Sequence, residues 1–201
     1  MQSNFYQKVA KRVFDICVSS VALVLLTPLF LLISIMIKVG SKGRVFFIQK
    51  RVGKDFREFD LYKFRTMRDE EGLEITAKDD PRITKIGRFL RKTKIDELPQ
   101  LLNVLKGDMS LVGPRPEVKK YVEIKKDEYQ KILTVKPGIT DLAAIEFSNE
   151  EEILANFADR EKAYINEILP KKIELYLKYI ENITFKNDIS IMIKTIQKVF
   201  L

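Results

Sequence analysis

An uncharged apolar stretch of 22 residues constrains this chain more than any other feature of its sequence. It runs from Ile16 to Ile37 (ICVSSVALVLLTPLFLLISIMI). As a helix it would be about 33 Å long, which is enough to cross the hydrocarbon core of a bilayer. The stretch is too long for a cleaved signal peptide, and no A-x-A-like site follows it. We therefore predict a membrane-inserted helix, with a buried core helix as the less favoured alternative.

Two details of this stretch bear on its path through the membrane. Basic residues stand on both sides of it: Lys8, Lys11 and Arg12 before, and Lys38, Lys42 and Arg44 after. Since basic residues favour the cytoplasmic side, both ends favour the same side. Pro28, directly after Thr27, removes a backbone donor near the middle and bends a helix there. The pattern alone leaves two paths open, a re-entrant helix and a spanning one.

Charge and residue usage limit the chemistry available to the chain. It has 201 residues with 36 Lys and Arg against 28 Asp and Glu, a net charge of +8. Such an excess suits nucleic acid, an anionic membrane surface or a phosphorylated substrate. The single cysteine, Cys17, allows no internal disulfide and indicates a reducing compartment. Because there is no histidine, any acid, base or nucleophile must be a carboxylate, hydroxyl or amine.

The remaining sequence predicts a hairpin followed by helices. The segments Arg44–Val52 and Phe56–Thr66 are rich in aromatic and β-branched residues and flank Gly53-Lys54-Asp55, which predicts a β-hairpin. A polar loop is predicted from Arg68 to Asp80.

Two later segments have apolar residues at helical spacing. Around 83–94 the apolar positions are interleaved with basic ones, as in a helix on an anionic membrane or an ordinary surface helix. The stripe from Ile189 to Phe200 is predicted to pack on the core, with a lipid contact as the alternative.

The stretch KIDELPQLLNVLKGD, from Lys94 to Asp108, contains paired carboxylates at a predicted helix start. Asp96 suits the N-cap, Pro99 the first turn and Gly107 the position after the helix end. The helix dipole would keep Asp96 and Glu97 ionised. An ionised carboxylate can bind a divalent cation or act as a nucleophile. Helix capping by Asp96 is the simpler alternative.

Three basic motifs are candidates for binding phosphate. Two prolines in Gly113-Pro114-Arg115-Pro116 fix the backbone around one guanidinium, which suits bidentate phosphate binding, although a solvated turn is the simpler interpretation. Lys63 and Arg65 are two apart on a predicted strand and so share a face. They could neutralise a diphosphate or simply be solvated. Lys136-Pro137-Gly138 reads as a structural turn, type II if the glycine takes a positive φ.

Five motifs in this order resemble one family. They are KRVFD at 11–15, the apolar stretch with Thr27-Pro28, YKFRTM at 62–67, IDELPQLLNVLKGDMSLVGPRP at 95–116 and KPGIT at 136–140. The chain is similar to the bacterial sugar transferases known as small monotopic phosphoglycosyl transferases. The resemblance covers about residues 8–142, with a looser match in the final helix. Since the chain begins just before its apolar stretch, we expect a member without further N-terminal membrane helices.

The resemblance implies an activity and its partners. Such enzymes transfer a sugar-1-phosphate from a nucleotide sugar, usually a UDP-sugar, to polyprenyl (undecaprenyl) phosphate, releasing UMP. This step initiates surface glycans such as exopolysaccharide or O-antigen. Expected partners are therefore the UDP-sugar, polyprenyl phosphate and membrane lipids, with downstream glycosyltransferases as candidates. Nucleic acid is not expected, because the basic residues are scattered and no nucleic-acid module is recognisable.

Residue roles follow only from the resemblance. The family's Asp-Glu dyad falls on Asp96 and Glu97, with Asp96 as the nucleophile that forms a phosphosugar-aspartate intermediate and with both near a Mg²⁺ ion. Glu97 would assist with metal or proton handling. Lys63, Arg91 and Arg115 match positions implicated in binding phosphate or supporting the site, and Arg65 is added from the shared strand face. Thr27-Pro28 corresponds to the bend of the family's re-entrant helix.

The implied architecture is an α+β fold. A re-entrant membrane helix with basic flanks would occupy residues 1–40, and a cytoplasmic catalytic domain residues 41–201. The latter would combine a small β-hairpin or sheet with several amphipathic helices at the membrane surface. The expected location is the cytoplasmic face of the bacterial inner membrane.

The sequence departs from the family pattern after KPGIT. Where many members have glycine, this chain has Asp141, and the acidic run Glu150-Glu151-Glu152 follows. The dyad is unaffected, but the identity of the sugar is left open. The alternative function is a catalytically inactive membrane-surface protein that binds nucleotide sugar or anionic lipid.

Overall fold

The computed structural model describes residues 6–68 and 80–200. The predicted loop from Arg68 to Asp80 lies almost wholly outside these residues, as does the start of the predicted first domain. The helices are α1 (Lys11–Gly40), α2 (Lys85–Lys92), α3 (Gln100–Lys106), α4 (Lys119–Ile124), α5 (Lys126–Ile132), α6 (Leu142–Glu146), α7 (Glu150–Ala155), α8 (Arg160–Ala163), α9 (Leu169–Glu181) and α10 (Phe185–Phe200). The strands are β1 (Phe46–Val52), β2 (Glu58–Phe64), β3 (Ser110–Val112) and β4 (Gly138–Thr140). The mixed α+β class is confirmed.

The apolar stretch forms one continuous 30-residue helix, α1, which passes through Pro28. The hydroxyl of Thr27 donates a hydrogen bond to the carbonyl of Leu23 over 2.8 Å. Only 11% of the most apolar part of the helix is buried, so α1 is not an ordinary core helix. Its length and composition suffice for crossing a membrane. Large apolar side chains remain exposed along it, among them Val13, Val21, Val24, Leu25, Leu31, Leu32, Ile35 and Val39.

Both ends of α1 contact the rest of the protein. Near the beginning, Arg12 donates hydrogen bonds to the carbonyls of Val104 and Leu105, at 2.6 and 3.0 Å. These carbonyls lie in the last turn of α3, where a helix end leaves carbonyls available to other donors; that of Val104 also accepts from the amide of Gly107 at 3.1 Å. Near the other end, Ile33 and Ile37 are buried in a cluster with Phe64 and Leu90. One stripe of α1 therefore packs on the body while its other faces stay exposed.

A buried carboxylate holds the start of α1 against α10. Asp188 forms an ion pair with Lys11 at 2.5 Å and accepts hydrogen bonds from the hydroxyls of Tyr6 and Tyr179 at 2.6 and 2.8 Å. Four polar groups from two distant parts of the chain, residues 6–11 and 179–188, thus satisfy one another, which is what burial of a carboxylate requires. Consistent with this packing, Ile191 of α10 is buried. Ile193 and Ile196, also on α10, are about half exposed, so the predicted stripe packs on the core only in part.

The predicted hairpin is confirmed. Strands β1 and β2 pair antiparallel in a register that places Phe46 opposite Phe64 and Val52 opposite Glu58. The turn between them, residues 53–57, carries Asp55 and Phe56 at positive φ. Lys63 lies near the end of β2, and this position carries it toward the site described below.

A second two-stranded sheet was missed by the sequence analysis. Strands β3 and β4 pair in parallel, with Ser110 opposite Gly138 and Val112 opposite Thr140. Gly138 does not have a positive φ, so the condition for a type II turn at Lys136-Pro137-Gly138 is not met. The glycine is needed for space instead, because a Cβ there would lie 2.1 Å from the backbone nitrogen of Gly113. This close approach holds the turn containing Arg115 against β4.

Candidate active site

Three elements position the paired carboxylates. After α2, Lys94 takes a left-handed conformation (φ 57°) and turns the chain into a short 3-10 segment, Ile95–Glu97. This segment packs against both β2 and α2. Arg115 reaches the same place from the turn after β3. Asp96 and Glu97 thus lie on a short piece of backbone that is packed between a strand and a helix.

Glu97 is held by two cations. The guanidinium of Arg115 donates to both its carboxylate oxygens, from Nη1 to Oε2 at 3.1 Å and from Nη2 to Oε1 at 2.5 Å. The ammonium of Lys63 donates to Oε1 at 3.1 Å. Burial by itself would raise the pKa of Glu97, but Arg115 and Lys63 lower this pKa well below its usual range. Glu97 is therefore a fixed anion.

Asp96 differs sharply from its neighbour. Its side chain is buried, and among the described residues its Oδ1 atom has no hydrogen-bond partner. Burial and repulsion from Glu97 raise the pKa of Asp96 to about 6, against the opposing influence of Lys63, Lys94 and Arg91. At neutral pH this carboxylate is mostly ionised yet poorly solvated, which makes it a more basic oxygen nucleophile than a surface aspartate.

Asp96 does not cap a helix, so that simpler interpretation is wrong. The N-cap position of α3 belongs to Pro99, and neither the 3-10 segment nor α3 has a side-chain cap. The helix begins later than predicted because Pro99 sits before its first turn rather than inside it. Gly107, in contrast, ends α3 with φ 93°, as predicted.

The cations at the site are not equivalent. Burial lowers the pKa of Lys63, although Glu97 opposes this shift, whereas the attraction of Glu97 raises the pKa of Arg115. Arg91, on α2, is close enough to Asp96 to favour its ionised form, but its guanidinium is paired with Glu151 of α7. The structure thus brings Lys63, Arg91 and Arg115 around the dyad. Their roles in binding phosphate stay predictions.

Arg65 is not part of this group of contacts. Its terminal nitrogens donate to the carbonyl of Lys42 at 2.6 Å and to the carbonyl and hydroxyl of Ser41, both at 2.9 Å. These oxygens lie directly after α1. Arg65 therefore fixes the end of α1 to β2, and its contacts favour this structural role over the predicted phosphate contact, which stays untested.

Asp141 is a buried carboxylate that sequence reasoning did not assign to the site. It follows β4 directly, as Gly113-Pro114-Arg115 follows β3, so both reach the same edge of the parallel pair. Its Oδ1 caps α6 by accepting from the amide of Ala144 at 2.9 Å, and burial raises its pKa to about 6. The departure from glycine at this position was the only signal in the sequence.

The residues present fit a Mg²⁺ ion that is completed by substrate. Mg²⁺ usually takes one or two carboxylates together with substrate phosphates and water. The Oδ1 atom of Asp96, which has no partner within the described ranges, would be such a ligand, whereas both oxygens of Glu97 already accept from Arg115. Among the described residues no group of three or more candidate ligands occurs, so the protein would supply few of the ligands.

Comparison with known proteins places the chain in a family. The model of the bacterial sugar transferase family matches residues 6–201, and the chain belongs to this family. It is 40% identical over 197 residues to a UDP-N-acetylgalactosamine-undecaprenyl-phosphate N-acetylgalactosaminephosphotransferase of Aeromonas hydrophila, covering 94% of this chain and 43% of that protein. A UDP-glucose:undecaprenyl-phosphate glucose-1-phosphate transferase of Klebsiella pneumoniae is 39% identical over 206 residues, 98% of this chain and 42% of that protein.

The length of the match differs among relatives. The chain spans about two fifths of the two transferases just named. By contrast, an uncharacterized sugar transferase of Bacillus subtilis is 40% identical over 197 residues, which cover 96% of this chain and 88% of that protein. The described site therefore lies within the part that long and short relatives share.

Proposed function

We propose that this chain transfers a sugar-1-phosphate from a UDP-sugar to polyprenyl phosphate and releases UMP. The observation that carries this proposal is the dyad: Asp96, whose Oδ1 has no partner in the part of the chain that the structure describes, lies beside Glu97, which Arg115 and Lys63 hold in place. The names of the Aeromonas and Klebsiella relatives, which specify UDP-sugars and undecaprenyl phosphate, support the choice of substrates.

In the first step Asp96 would act as the nucleophile. A carboxylate oxygen of Asp96 attacks the β-phosphorus of the UDP-sugar, and the bond from this phosphorus to the bridging oxygen breaks. The bridging oxygen leaves with UMP, and the sugar phosphate stays bound to Asp96 as an acyl phosphate. The raised pKa of Asp96, about 6, favours this step because a more basic oxygen is a stronger nucleophile that is still ionised at pH 7.

In the second step polyprenyl phosphate would displace the Asp96 carboxylate from the phosphorus. A phosphate oxygen of the lipid attacks the same phosphorus, the bond to Asp96 breaks, and the free carboxylate returns. Both attacking groups are anions, so neither step needs a base to remove a proton. This agrees with a chain that contains no histidine.

The fixed pair of Glu97 and Arg115 would position charge around the reacting phosphorus. The contacts of Glu97 favour a role in orienting Arg115 and Lys63 over proton transfer, since its pKa is lowered well below the usual range. Arg115 keeps donors on its guanidinium beyond the two that Glu97 uses, and these suit a phosphate oxygen. When bound at Asp96, Mg²⁺ would offset the negative charge of the phosphates.

The membrane placement of this site is part of the proposal. We place α1 as a re-entrant helix, bent at Thr27-Pro28, in the cytoplasmic leaflet of the bacterial inner membrane. Arg12 near its beginning and Ile37 near its end contact the same body, which supports entry and exit on one side. The exposed apolar faces of α1 would then contact lipid, and the dyad would lie where a lipid phosphate can reach it.

The test is UMP release from a panel of UDP-sugars with polyprenyl phosphate and Mg²⁺. We expect one donor or a few to release UMP, and Asp96→Asn to reduce the rate by at least about a thousandfold, because the amide is not a nucleophile. Asp60→Asn is the matched control, since Asp60 pairs with Lys50 on the exposed side of the hairpin. UMP release that survives Asp96→Asn would exclude Asp96 as the nucleophile.

The covalent intermediate has a separate readout. Without lipid acceptor, the wild type should release up to one UMP per chain and gain the mass of one sugar phosphate, whereas Asp96→Asn should gain none. A full panel without UMP release, combined with binding of UDP-sugar, would favour the alternative of an inactive nucleotide-sugar-binding protein.

A further inference from the structure

The acidic run after β4 reaches across the chain to one of the candidate phosphate-binding cations. Glu151, the second residue of α7, pairs with the guanidinium of Arg91 on α2. These residues are 60 positions apart, so the contact depends on tertiary structure. Arg91 is also one of the cations that favour ionised Asp96. A carboxylate of this chain therefore occupies a guanidinium close to the proposed nucleophile.

The helix that carries Glu151 is held in place by its neighbours. Glu150, one residue earlier, pairs with Lys172 of α9, and the ammonium of Lys172 also lies 4.9 Å from the centre of the Tyr164 ring. Leu154, one turn further, is buried in the main core cluster. Glu150 and Leu154 therefore anchor α7, and Glu151 needs only a change of its own side chain to leave Arg91.

The Arg91–Glu151 pair is suited to exchange. The side chain of Glu151 is 41% exposed and that of Arg91 only 20%. A released Glu151 would be hydrated at little cost, whereas an unpaired Arg91 would be left partly desolvated. A diphosphate carries more negative charge than one carboxylate and can accept two parallel hydrogen bonds from a guanidinium. Phosphate would therefore replace Glu151 on Arg91 more readily than the reverse.

We propose that Glu151 is a specificity-determining residue of the donor site, an internal anion that occupies Arg91 until a donor phosphate takes its place. This inference rests on the proposed function and adds a consequence to it. Every anion that uses Arg91 must first displace Glu151, so the pair lowers the affinity for all such ligands. Singly charged anions are disadvantaged most, because they gain least from the exchange.

The test is a double-mutant cycle measured by UDP binding, using the full chain in detergent. Removing the competing charge with Glu151→Gln should tighten UDP binding by about two- to fivefold, the range that a partly exposed ion pair contributes. Glu146→Gln is the matched control, since it removes the same charge from an exposed residue at the end of α6, and it should leave UDP affinity unchanged. Arg91→Gln should weaken UDP binding and abolish the effect of Glu151→Gln.

Each other outcome contradicts the proposal. Weaker binding in Glu151→Gln would mean that Glu151 orients Arg91 for the ligand, and an effect that persists with Arg91→Gln would mean that only net charge matters. Equal affinity in wild type and Glu151→Gln would show no competition. UMP release by the wild type tests the proposed transfer reaction independently of UDP binding. If no UMP is released but the double-mutant cycle gives the expected affinities, the transfer reaction is wrong and the exchange at Arg91 is still supported.

Discussion

The two adjacent carboxylates of the dyad owe their different properties to their neighbours. Glu97 has two cations within hydrogen-bonding distance, whereas Asp96 has an oxygen without a partner among residues 6–68 and 80–200 and a fixed anion beside it. Environments that push the pKa values of two acids apart are typical of sites where the two have separate tasks. Here the separation favours a nucleophile next to an electrostatic anchor.

The raised pKa of Asp96 predicts how the first step depends on pH. Below about pH 6 Asp96 becomes protonated and stops acting as a nucleophile, so UMP release without lipid should fall by about tenfold per pH unit. UDP-sugar suits this measurement because its diphosphate stays ionised in this range. Asp141, whose pKa is also raised to about 6, provides the control: the profile should be the same in Asp141→Asn. If the pH dependence of UMP release disappears in Asp141→Asn, the group that titrates is Asp141 and not Asp96.

The bidentate contact between Arg115 and Glu97 predicts that lysine cannot replace this arginine. Arg115→Lys keeps the charge but loses the planar fork, so Oε2 of the partly buried Glu97 would lose its donor. We expect a loss of about 1–3 kcal/mol in the free energy of unfolding, together with a large fall in UMP release. Arg57→Lys, at an exposed position of the hairpin, should change neither. Normal unfolding and activity in Arg115→Lys would mean that charge alone suffices.

At the scale of elements, two very short strands decide where Arg115 lies. Strands β3 and β4 have three residues each, and the turns around them interlock through Gly113 and Gly138. The amide of Gly113 donates to the carbonyl of Thr140 at 3.0 Å, and the amide of Gly138 donates to that of Pro114 at 2.9 Å. Backbone hydrogen bonds thus fix the turn that presents the guanidinium.

This close approach predicts a strong effect of a single methyl group. In Gly138→Ala the new Cβ would lie 2.1 Å from the nitrogen of Gly113, so the two turns must separate. We expect a loss of at least about 2 kcal/mol in the free energy of unfolding and reduced UMP release. The control is Gly40→Ala at the end of α1, where the nearest atom would be an ordinary 3.7 Å away. Equal stability of both variants would contradict this account of the parallel pair.

At the scale of the whole molecule, α1 serves both as the proposed membrane element and as part of the core. Its beginning is fixed by Asp188 and by the last carbonyls of α3, and its end by Phe64, Leu90 and the Arg65 contacts. Since a body cannot lie on both sides of a bilayer, these contacts favour a helix whose ends face one side.

This arrangement predicts the outcome of a topology experiment. In a Cys17→Ser background, Val9→Cys and Lys42→Cys introduce single thiols on exposed residues at the two ends of α1. Both thiols should react with a membrane-impermeant maleimide from the same side of sealed inverted vesicles. The variant with Cys17→Ser alone gives the background. Labelling of the two positions from opposite sides would show a spanning helix.

The sequence by itself determined the elements whose signal is local. The long uncharged stretch, the hairpin around Gly53-Lys54-Asp55 and the glycine at the end of α3 each depend on neighbouring residues, and all three are found. The resemblance further indicated the family, which the comparison confirms. It also selected Asp96 and Glu97 for roles that await experiment.

Only the tertiary structure decided which polar groups meet. Lys63, Glu97 and Arg115 are far apart in sequence, and their pairing sets the charge around Asp96. The parallel strands were missed because a strand of three residues has no detectable periodicity. Arg65 was predicted to share a strand face with Lys63, but β2 ends at Phe64, and the alternation of side chains along a strand does not show where that strand ends. The contact of Glu151 with Arg91 was equally invisible. Long-range electrostatics and close backbone packing depend on distances through space, which the order of residues along the chain does not contain.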